Sequence, residues 1–432
     1  MLRVRVIRRS RETRGSHDEA SVRIGQLDEL RALAIAAVVL SHIALAFGSR
    51  SRTAYWLNLP DLGVGVDLFF AISGFVIAVS LRQMVDAAEG DRVRAAKAFY
   101  ARRFLRIAVP AWATLVAIAI AASISGSLVT REDLVSAAGL MANVHWGLCP
   151  TARCGDPLQT SHFWSLAAEA QFYLLAPLLI LVTGRKALAA LILTLAVLAL
   201  VPRPHGSLLW ALRPDALLLG MALAHAHRAD AVWTRAFPAL SGGLAVFWLF
   251  IAAAVARAGV GPMSGIVWLG VAAISAGIVA GRLRGSPAIG RFGKAIRAVG
   301  RGSFSVYLVH LPIVAWAADF VAPRAGVAIA VPIALGVTAL AACALDLAVS
   351  RPAARLARII SNNLLLGAPS GQAARNLTEG PLKCPEPFSS LRLPGSCFQR
   401  PPPRMRRAAP SSFARAQVRR RGSPFLSAFS RS

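Results

Sequence analysis

Long apolar runs alternate along the chain with short polar stretches rich in arginine. A helix needs about 20 mostly apolar residues to cross the roughly 30 Å hydrocarbon core of a bilayer. By that measure the pattern predicts ten spans, over 30–48, 62–81, 107–126, 164–183, 187–202, 207–225, 237–256, 264–281, 303–322 and 327–350. The apolar run 134–146 is too brief to span and reads as an interfacial or loop helix. The expected fold class is all-α, a polytopic integral membrane protein of about ten transmembrane helices.

The basic residues orient these spans. With the N-terminus in the cytoplasm, the inside segments carry 27 Lys and Arg against seven in the outside loops, Arg203 among the seven. That bias predicts an even number of spans and both termini cytoplasmic. The first 25 residues are polar and basic, and no A-x-A-like site ends the apolar run that follows, so the first span reads as an uncleaved signal anchor. The chain then divides into a basic cytoplasmic segment (1–27), a transmembrane domain (28–360) and a tail (361–432). The tail is basic and rich in Pro and Ser, without helical periodicity, and is expected to be disordered.

Composition sharpens this picture. The chain has 432 residues and a net charge of +28, yet only 16% of its residues are charged and 56% are hydrophobic. A soluble domain carries roughly 25% charged residues. Nucleic-acid binders place their charge on a polar surface. Here it sits between apolar runs, which excludes nucleic acid and makes membrane lipid the expected partner of the basic stretches.

Ionisable groups within spans are costly and mark candidate function. The first span carries Arg31 and His42, about three helical turns apart on one face. Asp67 lies in the second, where Ser73 and Gly74 suit close helix approach. The third is entered through Arg102, Arg103 and Arg106, a cluster suited to phosphates or to anionic lipid. The fourth carries Trp164, placed as an interfacial anchor, and Glu169. Arg213 and Asp215 enter the sixth, spaced so that they can pair. Ser303, Tyr307 and His310 mark the ninth, the last two on one face. Helix rise places His42 about 18 Å from the inner boundary, and Asp67 and Glu169 about 22 Å from it. Acid and base candidates thus gather in the outer half, and the arginines at the inner face. On spacing alone, His42 is either a general base or a hydrogen-bonded bundle histidine.

Cys149 and Cys154 fall in an outside loop, where an oxidising compartment would let them form a disulfide; two free thiols are the alternative. Cys343 reads as a small apolar filler. No Cys/His cluster has metal-ligand spacing, so no metal is expected.

Six stretches in order carry a resemblance. They are LDELRALAIAAVVLSH (27–42), GVGVDLFFAISGF (63–75), FYARRFLRIAVP (99–110), SHFWSLAAEAQFYLLAP (161–177), RPDALLLG (213–220) and GRGSFSVYLVHLP (300–312). Together they resemble the membrane-bound acyltransferase 3 family, which includes O-antigen and exopolysaccharide O-acetylases. Glu29 and Ala32 stand where glycines are common in that family.

The resemblance implies an enzyme of the bacterial inner membrane with no bound cofactor. It would transfer an acyl group, often acetyl, from cytoplasmic acyl-CoA to a carbohydrate hydroxyl. Arg102, Arg103 and Arg106 would hold the CoA phosphates, with Arg31 further along the path. His42 would take the proton of the attacking hydroxyl. Asp67 or Glu169 would orient the imidazole, as the Asp does in serine hydrolases. A covalent acyl-His42 intermediate is a second route. Ser73, Trp164, Arg213, Asp215, Tyr307 and His310 would line the substrate path or serve the structure. The rival class is a multi-span transporter or flippase for an acylated or lipid-linked molecule, weakened by the lack of a clear inverted repeat. A non-catalytic scaffold would leave His42, Asp67 and Glu169 without purpose.

Overall fold

A computed structural model describes residues 2–48, 61–149, 154–181, 185–228, 237–286, 288 and 290–366. Its elements are helices throughout. The longer ones are α1 (Leu2–Phe47), α2 (Gly65–Ala87), α3 (Arg92–Ser125), α4 (Arg131–Ala138), α5 (Ala142–Leu148), α6 (Phe163–Leu181) and α7 (Arg185–Leu200). There follow α8 (Asp215–Arg228), α9 (Gly242–Ala256), α10 (Ser264–Arg284), α11 (Gly290–Trp316), α12 (Val327–Leu345) and α13 (Arg351–Leu366). A helix stands at each of the ten expected positions, and among the described residues seven are long and apolar enough to cross a membrane. The chain is a polytopic membrane protein. The short run near 134–146 forms α4 and α5.

The boundaries differ where charge misled the hydropathy pattern. Helix α1 begins at Leu2 and α3 at Arg92, because Arg and Lys are good helix formers outside the lipid as well as topology signals. The expected span 207–225 is broken: a turn at Leu208–Ala211 precedes α8, with Arg213 and Pro214 between them. Proline lacks a donor and disfavours helical dihedrals in the residue before it. Helix α13 carries regular structure to Leu366, past the expected start of the tail. The remainder of that tail lies outside the described residues.

Two close crossings hold the site together. Helix α1 lies along α11, where a Cβ on Gly300 would run into the carbonyl of Asp28. Helix α2 crosses α8 with Gly74 facing Leu217 and Gly220 facing Ala71 at backbone contact. Small residues permit this approach, and van der Waals packing is what membrane helices have in place of a hydrophobic drive. Midway along α1, buried Glu29 takes hydrogen bonds from Arg282, from Arg297 (2.9 Å) and from the backbone of Ala288 (2.8 Å), joining α1 to α10 and α11.

The loop between α3 and α6 is well tied. Thr130 and Asp133 form a reciprocal capping box at the start of α4. The Asn143 and Gln171 side-chain amides pair in both directions, at 2.8 and 2.9 Å. Burial acts to raise the Asp133 carboxyl, but hydrogen bonds from Thr130, His145 and Gly155 outweigh it and hold the group below its ordinary value. Cys149 and Cys154 are joined as a disulfide, with Cα atoms 6.3 Å apart. Folding also brings His145 beside them, with the three sets of ligand atoms within 4.8 Å, a clustering the sequence spacing did not suggest. Sulfurs bonded to each other supply no thiolate to a metal.

Candidate active site

His42 on α1 and His310 on α11 meet across the first crossing. His42 Nδ1 lies 2.8 Å from His310 Nε2, with ring centroids 5.0 Å apart. His310 Nδ1 in turn lies 2.8 Å from the backbone oxygen of Tyr307. A carbonyl only accepts, so His310 Nδ1 carries the hydrogen. Neutral imidazole has one N–H, so His310 Nε2 accepts and His42 Nδ1 donates. The lone pair of the couple is left on His42 Nε2. Among the described residues no carboxylate bonds to either ring, so the expected acid partner of His42 is replaced by His310.

The surroundings of His310 follow from a proline. Pro312, inside α11, has no N–H to give the carbonyl of Leu308 one turn back. His162 takes that oxygen instead, with Nε2 at 3.0 Å. The Tyr307 hydroxyl donates to the His162 backbone oxygen at 2.6 Å and pairs with Ser165 Oγ at 2.5 Å. His162, Ser165, Tyr307 and His310 thus form one buried polar knot between α6 and α11.

Two cavities flank this knot. One, named the outer cavity because it lies toward the side that the basic-loop bias predicts to be outside, has about 420 Å³ and is lined by Ser41, His42, Asp61, Trp164, His205, Trp210, Arg213, Arg257, Trp268 and Tyr307, among others. Arg213 stands in a box of indoles, its guanidinium carbon 4.2 Å from the Trp268 ring centre, 4.5 Å from Trp210 and 5.4 Å from Trp164. Arg213 bonds Asp67 at 3.0 Å, not Asp215. Asp215 is instead held bidentately by Arg203, at 2.5 and 2.9 Å. Arg203, counted by its charge as an outside-loop residue, is 1% exposed. The break before α8 turns Arg213 away from its sequence neighbour and toward α2. Asp67 is therefore committed to a cation and does not orient His42.

The inner cavity, about 360 Å³, is lined by Asp28, Arg31, Ser73, Arg103, Arg106, Glu169, Tyr173, Arg301, Ser303 and Tyr307. Arg31 bonds Asp28 at 3.1 Å, and Arg301 lies 3.8 Å from the same carboxylate. Arg103 sits over the rings of Tyr173 (5.3 Å) and Phe99 (5.6 Å). Glu169 accepts a hydrogen bond from Tyr173, one helical turn along α6. That turn-to-turn capture places Glu169 in the arginine cavity, not beside His42 as its depth suggested. Arg102, the remaining member of the arginine cluster, does not line this cavity and faces Arg358 of α13 electrostatically. Val66 and Tyr307 line both cavities, so the two abut there.

The structure thus gathers Arg31, Ser73, Arg103, Arg106 and Glu169 on one side of Tyr307, and His42, Trp164 and Arg213 on the other. Sequence reasoning passed over Asp28, Asp61, His162, Arg203, His205, Trp210, Trp268 and Arg301. Pro312, four residues after Leu308, was the available signal for a side-chain partner at that carbonyl. Trp210 and Trp268 lay within hydropathy runs and looked like any apolar residue.

The acyltransferase 3 family profile, described as an acyltransferase domain, matches residues 24–346. Among curated proteins, the chain is 27% identical over 166 residues to the peptidoglycan O-acetyltransferase OatA of Listeria monocytogenes, covering 37% of this chain and 24% of that one. It is 30% identical over 169 residues to the O-acetyltransferase OatA of Staphylococcus aureus, covering 36% and 24%. A putative O-acetyltransferase of Staphylococcus aureus is 28% identical over 161 residues, covering 36% and 24%. The matched stretch spans about a quarter of the length of these relatives. No solved structure matches the chain.

Proposed function

The chain belongs to the acyltransferase 3 family, and from that premise we propose that it moves an acyl group, most simply acetyl, from acyl-CoA to a hydroxyl of a carbohydrate or glycoconjugate. The observation that carries this reading is the His42–His310–Tyr307 chain, which leaves His42 Nε2 as a bare base at the edge of a cavity. The excess of basic residues in the alternate loops supports an orientation with the arginine cavity toward the cytoplasm, where CoA resides, in a bacterial inner membrane.

The donor enters the inner cavity. Arg103 and Arg106, with Arg31 and Arg301, meet its phosphates, and the thioester reaches the partition at Val66 and Tyr307. The acceptor hydroxyl gives its proton to His42 Nε2 as its oxygen attacks the thioester carbonyl. The new C–O bond forms, the C–S bond breaks, and the imidazolium returns the proton to the departing CoA thiolate. Throughout, His42 Nδ1–H stays bonded to His310, which is fixed by the Tyr307 carbonyl. Acid partners are absent from this chain of bonds, so a neutral histidine does the orienting work that a carboxylate does in serine hydrolases.

The test is release of free CoA thiol from acetyl-CoA by purified protein in the presence of a glycan acceptor. His42→Ala is expected to abolish release while the protein still reaches the membrane. A folded His42→Ala variant with full activity refutes the mechanism.

A further inference from the structure

Residues lining the outer cavity carry hydrogen-bond donors that have no partner among the described residues. Arg213 is 3% exposed, and its Nε and Nη1 have no hydrogen-bond partner among the described residues. Trp210 Nε1 is likewise buried and unpartnered. The neighbouring Trp268 differs, since its indole N–H is spent on the Arg203 carbonyl at 2.9 Å. Nearly all buried polar groups in folded proteins find a partner, so an orphan at a cavity calls for one from outside the chain, a water, an ion or a ligand. These three donors belong to residues that line the same cavity as His42.

The electrostatics narrow the class of ligand. The charge of Arg213 is answered by Asp67 at 3.0 Å. Asp61 and Arg257 add one charge of each sign to the lining. A balanced cavity with spare N–H donors and one base suits a neutral, oxygen-rich molecule better than an anion. Arg213 (4.5 Å), Trp164 (4.5 Å) and His205 (4.4 Å) crowd the ring of Trp210, whose indole N–H has no partner among the described residues.

We propose that the outer cavity is the acceptor subsite, in which Arg213 Nε and Nη1 and Trp210 Nε1 donate to oxygens of one neutral saccharide unit and so present its hydroxyl to His42. This rests on the acyltransferase reading above and names its specificity-determining residues. Arg213 is fixed for the task by the three indoles and by Asp67. Trp210 is fixed by the rings and the guanidinium packed around it.

The test uses the full chain in lipid nanodiscs, with a neutral N-acetylglucosamine tetramer as the probe. Its dissociation constant is measured directly, and its KM is measured at saturating acetyl-CoA. Trp210→Phe keeps an aromatic ring over Arg213 and deletes the N–H. It is expected to weaken binding and raise KM about three- to tenfold, the worth of one neutral hydrogen bond, with a smaller change in kcat. Arg213→Lys, checked by thermal stability, is expected to weaken binding further. Tetramer binding that is absent in the wild type, or unchanged in Trp210→Phe, overturns the subsite. A fall in kcat at constant KM and constant affinity also overturns it, because the donors would then serve the oxyanion of the thioester. Failure of the acyltransferase reading shows separately, as no CoA release by a wild type that still binds the tetramer.

Discussion

Replacing His310 by Phe tests the tautomer argument most directly. Phe keeps the buried ring volume and removes the acceptor that His42 Nδ1–H uses at 2.8 Å. The half-buried donor on His42 is then unpaired, at a cost of about 1–3 kcal/mol, unless the ring rotates or moves its proton to Nε2. Either escape removes the base from the outer cavity. At 1.36 kcal/mol per tenfold change in rate, the loss corresponds to roughly 5- to 150-fold in kcat. Fixing the wrong tautomer outright costs about 10⁴ in the serine proteases, which sets the upper bound. The assay is CoA thiol release at saturating acetyl-CoA and acceptor, with thermal stability in detergent measured on the same preparation. His310→Gln, whose side-chain oxygen can accept from His42, should recover part of the rate. A stable His310→Phe enzyme with kcat within twofold of wild type would refute the role of His310.

Three further outcomes follow from the contacts. Arg103→Ala should raise the KM for acetyl-CoA several-fold, while Arg102→Ala should move it little, because only Arg103 lines the inner cavity; equal effects in a CoA-titration assay would place the phosphates elsewhere. Glu29→Ala leaves buried Arg282 and the partly buried Arg297 without their carboxylate, and should destabilise the protein by about 3–5 kcal/mol, read as a large drop in melting temperature in detergent. Asp133 is held below its ordinary value of 3.8, so its contribution to stability is present above that pH and is lost as pH falls through the folded value. The acid limb of the stability profile should therefore flatten in Asp133→Asn, and an unchanged limb would show that the loop does not limit acid stability.

Much of the site was visible as chemistry before it was visible as geometry. Arg31, His42, Asp67, Glu169, Arg213 and His310 stood out because ionisable groups in apolar runs are expensive. Their partners did not stand out. Depth along a helix gave Glu169 and His42 a similar level, but says nothing about azimuth or about a tyrosine one turn away. Adjacency suggested Arg213 with Asp215, yet Pro214 breaks the helix between them and sends each to a different partner. Arg203 looked like a loop charge and is a buried one, because Asp215 waits for it inside.

The sequence by itself determined the membrane class, the positions of ten helices and the family, since each depends on local hydropathy or on ordered short motifs. It also marked the inner arginines and His42 as the residues to watch. Only the tertiary structure decided which groups touch. Pairing across α1 and α11, and across α2 and α8, depends on glycines that let backbones meet and on prolines that free or redirect backbone groups. Those contacts join residues more than 140 positions apart, and no local pattern carries that information.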